Sequence, residues 1–332
     1  MVETTRTGGA VRNGKAWSPG TGSEKYADMP DYEMVLKGTG ACAGCPSPMA
    51  LRIVGKALGP DSIMVLTPSC TVASTGMMPD SCFDVPVLNC CFASAGASAA
   101  GISGALDAQI AKGILPAPKP VVFTWIGDGG AYDIGFQGLS AAAERNDDFI
   151  YFCYNNEAYS NTGMQRSGAT PKYASTTTTP AGKTENKKNM PLLMLEHASA
   201  YVATASVAYP LDLYRKAVKA RDIKGFRYIE VHAPCCPGWK FPNDETVEIG
   251  RLAVNSGAWA LWEAEEGRLS MSAPTRQIAE GKRETLPLED YLKAQGRFDT
   301  VIKSPDKEKI IREMERGIQR ELRNLVEKAR AR

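Results

Sequence analysis

Two apolar runs, Val121-Val122-Phe123-Thr124-Trp125-Ile126 and Phe149-Ile150-Tyr151-Phe152-Cys153, read as β-strands, and each ends in a polar signature. Gly127-Asp128-Gly129 follows the first, and Tyr154-Asn155-Asn156-Glu157-Ala158-Tyr159 follows the second. Residues 132–145 between them carry a helical period rich in Ala and Leu. Together they make one βαβ unit, with an acid after its first strand and an amide after its second. In open parallel sheets ligands bind outside the carboxyl ends of the strands. Asp128 and Asn156 on that edge offer oxygen ligands suited to Mg²⁺, a hard cation usually completed by a diphosphate. Glycines flanking an Asp most often just make a turn; the amide at this distance is what gives the triplet chemical meaning.

Strand and helix patterns alternate over residues 31–265. Residues 48–58 and 97–112 are helical, 62–66 reads as a strand ending toward Cys70, 211–219 as a helix, and 226–231 as a strand leading into Pro234-Cys235-Cys236-Pro237. The expectation is an α/β fold, a parallel sheet with helices on both faces. Residues 160–190 form a long polar loop, which in a compact domain serves as a binding segment or lid. Residues 1–30 read as a mobile tail without the apolar core of a secretion signal. Residues 266–332 read as a charged helical extension, ending in an amphipathic helix over 306–330 that lies on its own domain or reaches a partner. A formal charge of +2 speaks against a nucleic-acid partner, and no apolar run is long enough to cross a membrane. A cytoplasmic protein is expected.

Nine cysteines without an export signal argue for metal thiolates rather than disulfides. Cys42-Ala43-Gly44-Cys45 opens a helix, and Cys70 and Cys235 each follow a strand. If those strands share one parallel sheet, four thiols meet on the edge that carries Asp128 and Asn156. An Fe–S cluster explains that set better than a zinc ribbon, which would show a second CxxC knuckle. His232 with three cysteines is the alternative, a zinc site. Cys236 is a spectator or a substitute for Cys235. Cys82, Cys90, Cys91 and Cys153 read as packing residues, and His197 as a surface or core histidine.

The Gly-Asp-Gly signature with Asn-Asn downstream resembles the motif of thiamine diphosphate enzymes. The fuller set resembles the thiamine diphosphate-binding β subunits of 2-oxoacid:ferredoxin oxidoreductases, most like the pyruvate type (pyruvate synthase). The matching stretches are residues 41–45, Cys70, 127–135, 159–167, 169–171, 176–180, Pro234-Cys235 and Gly238-Trp239, within residues 40–255. The resemblance implies that Asp128, Asn156 and the carbonyl of Ala158 bind Mg²⁺. Gly127 and Gly129 would let the backbone approach the diphosphate, Thr162 would help hold it, and Asn161 would face the reacting carbon. Cys42, Cys45, Cys70 and Cys235 would bind a [4Fe–4S] cluster. The doubled Cys235-Cys236 departs from the family's usual single Cys before Pro, and Lys172-Tyr173-Ala174-Ser175 follows Ala169-Thr170-Pro171 where related pyruvate enzymes often carry Tyr-Gly-Ala-Trp. These departures leave the fourth ligand and the identity of the 2-oxoacid open.

The activity implied is oxidative decarboxylation of a 2-oxoacid, pyruvate first, with coenzyme A as acyl acceptor and electrons passing through the cluster to ferredoxin. An α subunit would supply the carboxylate that activates the aminopyrimidine, and a ferredoxin-like subunit further clusters. Oxalate, aryl glyoxylates and branched-chain 2-oxoacids are alternative substrates. A non-oxidative thiamine diphosphate decarboxylase would share Asp128 and Asn156 without needing four thiolates, and a zinc-stabilised scaffold would need no thiamine.

Overall fold

The computed structural model describes residues 17, 18, 20, 25–77 and 80–331. The tail expected over 1–30 lies mostly outside the described residues; its last part forms a 3₁₀ turn, Tyr26–Asp28. Eight strands form one sheet in the order β2-β1-β3-β4-β6-β5-β7-β8. They are β1 (Ser62–Leu66), β2 (Val87–Asn89), β3 (Val121–Gly127), β4 (Ile150–Asn155), β5 (Tyr201–Ser206), β6 (Arg227–His232), β7 (Trp262–Glu265) and β8 (Arg268–Met271). The first six run parallel, while β7 and β8 pair antiparallel at one edge. The parallel sheet expected from sequence is therefore a mixed, mostly parallel one. The hairpin β7–β8 straddles residue 265, so the sheet continues into the C-terminal region.

Period-two alternation puts Phe123, Trp125, Ile150, Phe152, Ile229 and Val231 on one face of the sheet. There they pack with α1 (Pro46–Leu58) and α6 (Pro210–Asp222). Val122, Ile126, Tyr151, Cys153 and Tyr228 point the other way. That face is covered by α3 (Ala95–Ala111), α4 (Phe136–Glu144) and α5 (Met190–Glu196). Short helices α2 (Cys70–Thr75), α7 (Cys236–Trp239) and α8 (Thr246–Asn255) follow strands or loops at the carboxyl edge. A third apolar cluster, built on Trp239, Tyr291 and Phe298, joins α10 (Leu288–Lys293), α11 (Asp299–Ile302) and α12 (Lys307–Arg330) to the domain, and α9 (Ala273–Ala279) packs against α8 and α12. The final helix buries Ile311 and Leu325 against its own chain. No helix among the described residues is long and apolar enough to cross a membrane.

The chain goes from β1 outward to β2, then returns across β1 to β3. Loops leaving β1 and β3 consequently diverge, opening the kind of crevice in which α/β sheets bind ligands. Cys70 follows β1, and Asp128 follows β3.

Candidate active site

Asp128 directly follows β3 and is completely buried. Its Oδ2 accepts from Ser167 Oγ at 2.5 Å, and its Oδ1 from the backbone N–H of Asn156 at 3.2 Å. Burial nonetheless pushes the carboxyl up to about 8, against those hydrogen bonds. A neighbouring cation would reverse that balance. The carboxamide atom of Asn156 that faces the site lies 2.8 Å from the Ala158 carbonyl oxygen, 3.0 Å from Asp128 Oδ1 and 2.9 Å from Ser160 Oγ. With nitrogen in that position, the amide donates to all three. With oxygen there, Asp128, Asn156 and Ala158 bring three acceptors together. Neighbouring ligands on an octahedral Mg²⁺ at about 2.1 Å stand roughly 3.0 Å apart. The two distances from Asn156, to Asp128 and to Ala158, match that spacing, and the donor set fits the ion.

The helix expected over 132–145 opens earlier, as a π-helical turn, Gly129–Ile134, before α4. A Cβ at Gly129 would lie 2.5 Å from the Tyr159 ring, so that glycine is required by close packing, whereas Gly127 has ordinary room. Tyr159 donates to the Gly129 carbonyl at 3.3 Å and to Asp133 Oδ2 at 3.2 Å. The long loop lies across this rim. Ser167 reaches Asp128, Gly168 N–H donates to Asp133 Oδ2 at 2.8 Å, and Lys188 donates to the Tyr132 carbonyl and, at 3.0 Å, to Asp133 Oδ1. Lys183, a residue of the loop itself, is buried and donates to the Thr170 carbonyl at 2.7 Å. Burial pushes its ammonium down to about 8.

Beside the oxygen atoms is a cavity of about 230 Å³, lined by Cys42, Cys45, Cys70, Cys235 and Cys236 and also by Asn156, Ser160 and Asn161. The sheet topology thus brings three dispersed cysteine-bearing segments and the Asn156 amide to a single cavity. Burial pushes the Cys45 thiol up to about 11 and Cys70 up to about 12, and the neighbouring cysteines add to both. Thiols that oppose one another's ionisation in this way suit a cationic metal centre. Among the described residues no three His, Cys, Asp or Glu side chains are gathered tightly enough to grip one ion. Thiolates on a four-iron cube each hold a different iron, so a cluster does not require three of them to grip a single ion. His232 stacks on Trp259 at 4.6 Å in the core, its ring nitrogen Nδ1 unpartnered. It does not line the cysteine cavity, so the zinc alternative loses its histidine.

Cys236 is buried, with its sulfur 3.2 Å from the Gly44 carbonyl and 3.1 Å from Thr246 Oγ1. Cys235 is half-buried, and burial raises its thiol. Asn161 is exposed on the turn bordering the cavity, and Thr162, also exposed, donates to Gln165 Oε1 at 2.5 Å. Three residues with no assigned role in the sequence turn out to brace the site: Ser167 on Asp128, Trp239 donating to the Asn156 carbonyl at 2.8 Å, and Arg297 beside Glu157 at 2.7 Å. Ser167 and Trp239 fall inside the matching stretches. Nothing in the sequence near Arg297 points to the site.

The family described as thiamine pyrophosphate enzyme, C-terminal TPP binding domain, matches residues 77–231. The chain is 43% identical over 275 residues to pyruvate synthase subunit PorB of Methanothermobacter marburgensis, covering 81% of this chain and 91% of that one. It is 40% identical over 285 residues to ketoisovalerate oxidoreductase subunit VorB of Pyrococcus furiosus, covering 84% and 90%. A solved structure of 2-oxoglutarate:ferredoxin oxidoreductase from Magnetococcus marinus superposes with a TM-score of 0.52 at 22% identity, over 68% of this chain and 82% of that one, a likeness of fold. With the Gly-Asp-Gly and Asn-Asn signatures at one sheet edge, these relationships make the chain a member of the thiamine diphosphate-binding β subunits of 2-oxoacid:ferredoxin oxidoreductases.

Proposed function

We propose that this chain is the catalytic subunit of a coenzyme A-dependent 2-oxoacid:ferredoxin oxidoreductase, with pyruvate as the leading substrate. In this reading Asp128, Asn156 and the Ala158 carbonyl hold Mg²⁺, and Cys42, Cys45, Cys70 and Cys235 hold a [4Fe–4S] cluster. The observation that carries it is the position of Asn156, which joins the three-oxygen cluster to the lining of the cysteine cavity. Thiamine diphosphate, when bound, supplies the electron sink that makes decarboxylation of a 2-oxoacid feasible. The protein's part is to fix the diphosphate through Mg²⁺, with Gly127, Gly129 and Thr162 at its edge, and to keep an electron acceptor adjacent. Asn161, exposed at the cavity mouth, would meet the substrate.

The reading includes an α subunit bearing the aminopyrimidine-activating carboxylate, a ferredoxin-like subunit, external ferredoxin and a cytoplasmic location. Comparable identity to PorB and VorB chains supports a branched-chain 2-oxoacid as the second substrate candidate. The test is the complex purified without oxygen, assayed with coenzyme A, a viologen dye and a panel of 2-oxoacids. Pyruvate-dependent dye reduction that requires thiamine diphosphate is expected from the complex and not from the single chain. Oxidation of 2-oxoacids by the single chain would refute the shared active site, and an iron-free complex would refute the cluster.

A further inference from the structure

Glu157 stands between the two proposed ligands Asn156 and Ala158, is 3% exposed and has a φ of 59°. Residues with a Cβ rarely adopt this left-handed conformation, so the surroundings must hold it in place. Its N–H donates to Asn155 Oδ1 at 2.9 Å, and its carbonyl accepts from Thr170 Oγ1 at 2.6 Å. Its carboxylate lies 2.7 Å from Arg297 Nη2. That arginine belongs to a 3₁₀ turn, Gly296–Phe298, far along the chain in the C-terminal region.

The guanidinium is buried as deeply as the carboxylate it meets, and its central carbon lies 3.4 Å from the centroid of the Trp239 ring. The Trp239 indole N–H in turn donates to the Asn156 carbonyl at 2.8 Å. Arg297 Nε donates to Gln295 Oε1 at 2.8 Å, and its own carbonyl accepts from Ser175 N–H at 2.8 Å. A single guanidinium therefore fastens the turn at two points, Glu157 by charge and Asn156 through the stacked indole. Were Glu157 to relax to an extended φ, the Ala158 carbonyl would swing away from the Asn156 amide it now meets at 2.8 Å.

We propose that Arg297 is a positioning residue for the Mg²⁺ site, holding Glu157 left-handed so that the Ala158 carbonyl points at the ion. This rests on the Mg²⁺ reading given above. The test uses the anaerobically purified complex, stripped of divalent metal and thiamine diphosphate. Mn²⁺ is then titrated with thiamine diphosphate saturating, and free Mn²⁺ is read by paramagnetic resonance. Arg297→Gln is expected to weaken Mn²⁺ about ten- to a hundredfold, the usual cost of losing an outer-shell partner, with Arg297→Lys recovering most of it. The 2-oxoacid KM at saturating metal should stay unchanged. The double variant Glu157→Gly, Arg297→Gln removes both buried charges and accepts the left-handed φ freely, so it should bind within about fivefold of the parent.

Binding by Arg297→Gln within about twofold of the parent would overturn the proposal while leaving the Mg²⁺ reading intact. If Arg297→Gln does not assemble, the double variant decides, and a loss of about a hundredfold there would equally overturn it. Parent-like Mn²⁺ binding by Asp128→Ala would instead sink the Mg²⁺ reading itself.

Discussion

The two halves of the site are built in opposite ways. Asp128, Asn156 and Ala158 are buried, and the first two are tied by hydrogen bonds to Ser167, Ser160 and Trp239. The cysteine cavity is looser: Cys42 is exposed, and Cys45, Cys70 and Cys235 are half-buried. Oxygen atoms bind a hard ion in a demanding octahedral geometry, so the protein must set them in advance. Thiolates around a cluster need only reach it, and the cluster itself fixes their spacing. The difference teaches that buried hydrogen bonds concentrate where geometry is least negotiable.

Crossing the two sites gives the largest effects. Asp128→Ala should weaken Mn²⁺ binding by more than about a hundredfold, beyond the range for outer-shell changes, while leaving iron content intact. Cys70→Ser should do the reverse, losing cluster absorbance with Mn²⁺ affinity within about twofold of the parent. Simultaneous loss of both centres in either variant would break the comparison. A narrower effect separates the paired cysteines. Cys235→Ser should lose iron, whereas Cys236→Ser should keep it, because a hydroxyl can replace the contacts of Cys236 with Gly44 and Thr246. Iron lost from Cys236→Ser and retained in Cys235→Ser would reverse the assignment.

The smallest effect concerns the loop that covers the oxygen site. Lys183 has its ammonium lowered by burial to about 8 from an ordinary 10.5. Between those values the unfolded chain holds the proton and the folded one has released it, so stability should rise with pH across that window. Below pH 8 the full penalty of the buried ammonium remains. Chemical denaturation at several pH values should show a steeper rise for the parent than for Lys183→Met. Equal slopes would mean that Lys183 does not titrate there.

Much of this architecture is legible in the amino-acid sequence. Strands β1, β3, β4 and β6 are readable because apolar runs end in polar signatures, and the cysteines because each follows such a run or opens a helix. Strand β5, Tyr-Val-Ala-Thr-Ala-Ser, is hard to read since its small residues resemble a loop, yet every position in it is buried. The hairpin β7–β8 is masked because Glu263, Glu265 and Arg268 at the sheet edge look like surface charge. Arg297 is illegible for a different reason. Its role depends on a contact with Glu157 across most of the domain, and neither local period nor motif encodes that.

The most direct measurement is anomalous diffraction at the iron edge from crystals of the anaerobically purified complex. The account predicts iron in the cavity between Cys42, Cys45, Cys70 and Cys235, with a lighter ion held by Asp128, Asn156 and the Ala158 carbonyl. An iron-free cavity, or iron bound elsewhere on this chain, would contradict it.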